Sequence, residues 1–117
     1  MAISGRGQEG TRKMSYETQF SPNALEDLQG IEKYIKEDLS NLKAADRIIG
    51  MLFSEIERLS CNPGIGVKLS SRFGIEADYR YLVAEDYVII YIRKESIVRI
   101  IDVFNGHQDY IRKFLDK

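Results

Sequence analysis

The sequence predicts an α+β fold in the order β-αα-βββ-α: a helical hairpin packed on one face of a small, mostly antiparallel four-stranded sheet. Three observations carry this reading. Apolar residues recur at spacings of three and four over two consecutive stretches, the period of amphipathic helices. Three later runs rich in Val, Ile and Tyr are separated by turns of only two or three polar residues, which joins them as antiparallel hairpins. A length of 117 residues supplies one core and one domain.

Each element follows from its residues. Tyr16, Thr18 and Phe20 alternate with Glu17 and Gln19, the two-residue period of a half-buried strand. Ser21-Pro22 supplies an N-cap and a proline at the first helical position, and Leu25, Leu28, Ile31, Ile35 and Leu39 mark a helix over residues 22 to 38. Ser40 or Asn41 caps a second helix. Its apolar stripe is Leu42, Ala45, Ile48, Ile49, Leu52, Phe53, Ile56 and Leu59, and it ends near Cys61 before Asn62-Pro63-Gly64. Residues 62 to 78 contain three glycines and little periodicity, so they read as a surface loop with room for one short strand. The runs Tyr79 to Ala84, Tyr87 to Arg93 and Ile97 to Phe104 are the hairpin strands, and the middle one, apolar on both faces, belongs at the centre. Tyr110, Ile111, Phe114 and Leu115 fit one face of a short closing helix over Gln108 to Leu115. With helices on one face, the other face of the sheet is expected to stay open.

Composition narrows the function classes. Hydrophobic residues make up 44% and charged residues 30%, which argues against a disordered chain or a disulfide scaffold. No apolar run reaches the roughly 20 residues of a bilayer crossing. Cys61 is the single cysteine, which excludes an internal disulfide and a thiolate metal cluster and points to a reducing, cytoplasmic setting. Residues 1 to 13 are polar, glycine-bearing and aperiodic; they are expected to be a disordered lead or a cloning remnant, with the domain spanning 14 to 117. The net charge is -1: residues 1 to 13 carry a net of +2, residues 14 to 61 hold 5 basic and 9 acidic groups, and residues 62 to 117 hold 9 and 8, so the positive balance of the domain lies in its second half. A phosphate-rich partner must therefore be met by a local patch.

The groups with chemical potential lie in that half. Lys68 and Arg72 sit in the long loop, Arg80 on the strand after it, and His107 and Tyr110 just past the last strand. Arginine clamps phosphate through paired N–H groups, histidine exchanges a proton near neutral pH, and tyrosine stacks on a base or orients a hydroxyl. Each also has a structural explanation. Arg80 can pair with Asp78, Glu85 or Asp102, His107 can be a turn residue after Asn105-Gly106, and Tyr110 can pack in the core.

Six segments in order give the chain a family resemblance: Phe20-Ser-Pro-Asn-Ala-Leu-Glu-Asp-Leu28, Ile31-Glu-Lys-Tyr-Ile35, Asn62-Pro63, Arg80-Tyr-Leu-Val83, Tyr87-Val-Ile-Ile-Tyr91 and Val103-Phe-Asn-Gly-His-Gln-Asp-Tyr110. Together they resemble the RelE/ParE toxins of bacterial type II toxin-antitoxin (plasmid stabilisation) systems, over nearly all of residues 14 to 117. The resemblance implies a growth-inhibiting toxin held inactive by a cognate antitoxin, with no cofactor and no metal. RelE-like members cut messenger RNA in the ribosomal A site, where a ribose 2′-hydroxyl attacks the adjacent phosphate. The expectation is that activity, an mRNA interferase, with Arg80 stabilising phosphate charge, His107 as acid or base, Tyr110 stacking on a base, and Lys68 and Arg72 binding RNA or partner. The alternative is a ParE-like, non-nuclease inhibitor of DNA gyrase, and the second alternative an inactive relative that only binds an antitoxin. The dense basic run of strongly ribosome-dependent members is absent, which weakens docking onto ribosomal RNA.

Overall fold

The computed structural model describes residues 16–69 and 78–106. The first element is β1 (Glu17–Phe20), followed by α1 (Pro22–Lys33), which widens into a π-helical turn over Tyr34–Asp38, and then α2 (Leu42–Cys61). A 3-10 turn (Pro63–Ile65) leads to β2 (Val67–Lys68), and the long strands β3 (Tyr79–Ala84), β4 (Tyr87–Lys94) and β5 (Ile97–Asn105) complete the described order. They form one five-stranded sheet, β1-β5-β4-β3-β2. Only β1 runs parallel to its neighbour, β5. The expected four strands become five because Val67 and Lys68, inside the predicted loop, pair with Tyr81 and Arg80 at the sheet's outer edge. The expected closing helix, Gln108 to Leu115, lies outside the described residues.

The caps follow from the sequence. Ser21 accepts from the Ala24 amide at 3.0 Å and Asn41 from the Ala44 amide at 3.0 Å, each satisfying an orphan donor of a first helical turn. Ser21 does more than cap. Its hydroxyl donates to the Ile101 carbonyl at 2.6 Å, where β5 carries a bulge opposite Ile90 and Tyr91, and Asp27 accepts from the Val103 amide at 2.9 Å beside it. The first turns of α1 thus supply the partners that the irregular part of β5 loses from its ladder.

Both helices lie on one face. Ala24, Leu28 and Ile35 of the first helix and Ala45, Ile48, Leu52, Ile56 and Leu59 of α2 pack with Tyr87, Ile89, Tyr91, Val98, Ile100 and Val103. Leu52 and Leu59 are fully buried, each contributing about 1.5–3 kcal/mol of hydrophobic stabilisation. The buried stripe differs from the predicted one at its margins. Leu25, Leu39, Leu42 and Phe53 are exposed by 45–64%, and on α1 Ala24 rather than Leu25 is buried in the core. The second face of the sheet is not open at its centre either: Leu69, Tyr81, Val88 and Ile90 are buried there in a cluster of their own, as the doubly apolar β4 requires. Among the described residues no helix is long and apolar enough to cross a membrane.

Candidate functional site

Arg80 is the sequence-predicted catalytic residue that the structure places in detail. The β3 register sets it opposite Tyr91 on β4 and opposite Lys68 on β2, so the three residues form one row across three strands. Tyr91 belongs to the helix-side core, which puts the row on the helix-covered face rather than on the far side of the sheet. The Arg80 guanidinium donates to the Gly66 carbonyl at 2.8 Å and, more weakly, to the Gly64 carbonyl at 3.5 Å. Of the acidic partners expected from the sequence, Glu85 instead forms a two-point ion pair with Arg47.

Tyr91 grips the same turn from inside. Its hydroxyl donates to the Pro63 carbonyl at 2.6 Å and accepts from the Gly66 amide at 2.9 Å, in a fully buried position. Burial pushes the Tyr91 phenol up from the ordinary 10.0, while the Gly66 amide and the Arg80 charge pull the other way. Gly66 is required by space: a Cβ there would collide with the Tyr91 hydroxyl and lie 2.8 Å from the Tyr81 carbonyl. Arg80, Tyr91 and Gly66 therefore form a clamp that fixes the 63–66 turn against β3 and β4.

Lys68, one strand out from Arg80 in the same row, is exposed on the edge strand. Arg72, His107 and Tyr110 lie outside the described residues. The end of β5 that precedes His107 is described, and the register locates it. Asn105 sits opposite Tyr87, which is opposite Ala84, four residues along β3 from Arg80. At about 3.3 Å per residue, Arg80 and Asn105 are separated by about 13 Å along the strands and by two strand spacings across them. Among the described residues no three His, Cys, Asp or Glu side chains converge as metal ligands. The Tyr91 and Gly66 roles escaped the sequence reading because both arise from the turn folding back on β4. The only signal was a Gly66 not needed by the preceding Asn62-Pro63-Gly64 turn.

Sequence and fold comparisons agree with this architecture. Residues 18–110 match the family model described as the ParE toxin of the type II toxin-antitoxin system parDE. The chain belongs to that family, and it is a toxin of the RelE/ParE type. Among solved structures it is similar to the chromosomal ParDE toxin-antitoxin system from P. aeruginosa, with TM-score 0.65 and 14% identity, covering 80% of this chain and 98% of that one. It is also similar to the RelBE2 toxin-antitoxin complex from Mycobacterium tuberculosis, with TM-score 0.56 and 18% identity, covering 83% and 98%. No curated protein sequence matches it.

Proposed function

We propose that this toxin arrests growth in the cytoplasm by binding a protein target, DNA gyrase, as ParE-type members do, and that an antitoxin encoded beside it holds it inactive. The observation that carries this reading is the engagement of Arg80. A 2′-hydroxyl attack needs a cation aimed at the phosphate, preorganised where charge develops. Here the guanidinium faces the helix side, and its Nη1 donates to backbone carbonyls of the turn it secures. The separation of Arg80 from the end of β5 and the absence of a basic run support the same reading, and protein binding needs no catalytic set. Messenger-RNA cleavage, the activity expected from the sequence, is the alternative that the test below separates from it.

The test is direct. The purified chain, freed from its antitoxin, is expected to inhibit supercoiling by purified gyrase and to leave ribosome-bound mRNA intact. Cleavage of that mRNA with gyrase unaffected would reverse the assignment, and inertness in both assays would leave an antitoxin-binding relative only.

A further inference from the structure

The cations of the sheet gather at one end of it. Lys68, Arg80, Arg93, Lys94 and Arg99 are the lysines and arginines of the described strands, and the register places all of them in four consecutive rows at the end where β4 turns into β5. These rows span about 10 Å along the strands, and three strand spacings, about 14 Å, separate Lys68 on β2 from Arg99 on β5. The opposite end of the strands carries Glu85 and Asp86 in the turn between β3 and β4. The chain has no basic run and a net charge of -1, so strand pairing alone creates this segregation.

The cations of the helices and those of the sheet are also paired differently. Lys36, Arg47 and Arg58 form ion pairs with Glu32, Glu85 and Glu55, whereas none of the sheet cations has a carboxylate partner among the described residues. Arg93, exposed, lies over the Tyr16 ring at 5.9 Å from its centroid, and half-buried Arg99 donates to Gln19 Oε1 at 3.4 Å. Both contacts are to neutral groups and leave the charge uncompensated. Alternation along β4 puts Arg93 on the helix-covered face with Tyr91, and puts Lys94, with Arg99 of β5, on the other. Positive groups thus surround the end of the sheet, five against the nearby carboxylates of Glu17, Asp78 and Glu95.

The arrangement suits a regular polyanion. Nucleic-acid phosphates repeat at fixed spacing and meet several cations at once, and guanidinium forks match their oxygens. Sites for single strands interleave cations with aromatic rings on which bases stack. Here the aromatic side chains of the same rows, Tyr79 and Tyr91, are half-buried and buried, and half-buried Tyr16 lies beneath Arg93. A duplex offers its backbone without unstacking a base. The 14 Å from Lys68 to Arg99 is close to the roughly 12 Å between the phosphate ridges of a B-form major groove, whereas the A-form groove of RNA is narrow.

We propose that this end of the sheet docks on the phosphate backbone of duplex DNA, without reading its sequence, Lys68 facing one strand and the Arg93, Lys94 and Arg99 group the other. The contact goes beyond the gyrase reading, because it needs no gyrase.

The purified full chain is titrated into a labelled DNA duplex of about 20 base pairs, followed by fluorescence anisotropy between about 50 and 200 mM salt. The logarithm of the binding constant is expected to fall with that of salt concentration with a slope of about -4, near 0.9 for each cation left without a partner. Arg93→Gln combined with Lys94→Gln should lower the steepness by about 2 and weaken binding by about tenfold or more. Lys33→Gln combined with Lys43→Gln, an equal loss of exposed charge on the helices, should stay within about twofold of wild type, with circular dichroism unchanged in both variants. Equal losses in the two variants would make the effect one of net charge and overturn the surface assignment. Absence of salt-dependent binding by the wild-type chain overturns the DNA contact, as does tighter binding of RNA of the same length, single-stranded or paired. No gyrase is present, so each of these failures is distinct from failure in the supercoiling assay.

Discussion

Replacing Tyr91 by phenylalanine removes one oxygen and tests the clamp on the 63–66 turn. The phenol donates to Pro63 at 2.6 Å and accepts from Gly66 at 2.9 Å, and Tyr91, Pro63 and Gly66 are all buried. Each lost hydrogen bond is worth about 1 kcal/mol net, and a buried amide or carbonyl left without a partner costs about 1–3 kcal/mol. The sum expected for Tyr91→Phe is about 3 kcal/mol, large against the 5–15 kcal/mol typical of a whole domain. At about 4 °C per kcal/mol for a chain of this size, the thermal midpoint falls by about 12 °C. Urea denaturation followed by circular dichroism measures it, with an unchanged slope confirming that the native surface is preserved. The same residue fixes a pH dependence. Burial raises the folded-state pKa of Tyr91 above 10.0, so the unfolded chain ionises first as pH rises. The stability from the neutral phenol is complete below pH 10.0 and is lost as pH climbs through that value and beyond. Tyr91→Phe should flatten this alkaline decline. A loss below about 0.5 kcal/mol, with the decline intact, would show that the hydroxyl does not secure the turn.

Three other substitutions bear on the same physical account. Gly66→Ala forces a methyl against the Tyr91 hydroxyl and the Tyr81 carbonyl and should destabilise by about 1–3 kcal/mol in urea melts. Ser21→Ala removes both the cap of α1 and the donor to the bulged Ile101 carbonyl, and about 1–2 kcal/mol is expected from the same measurement. Arg80→Ala should cost about 1–2 kcal/mol through the lost carbonyl contacts and yet still arrest growth at a temperature where it remains folded. Loss of toxicity in a folded Arg80→Ala chain would return Arg80 to a catalytic role.

What the sequence could convey depended on how local each determinant is. Ser21-Pro22, the 3.6-residue stripes and the two-residue hairpin turns are local signals, and they located both helices and the three long strands. The short strand expected within residues 62 to 78 is β2, but its position was not legible, because Val67 and Lys68 are made a strand by pairing with β3 and not by their own pattern. Leu25 was misplaced for a similar reason, since spacing alone does not reveal that Ala24 rather than Leu25 turns into the core. At the site, the residue type of Arg80 suggested phosphate chemistry. Its orientation was settled by register with Tyr91 and by the fold-back of the Gly64 and Gly66 carbonyls, neither of which is encoded near position 80.

The central claim is that this chain acts on a protein and not on a phosphodiester. Mapping transcript 5′ ends across cells during growth arrest by the uninhibited chain tests it most directly. Translated messages without new internal ends, alongside broken chromosomal DNA, are predicted. Fresh ends inside coding regions that disappear with His107→Ala or Arg80→Ala would contradict it.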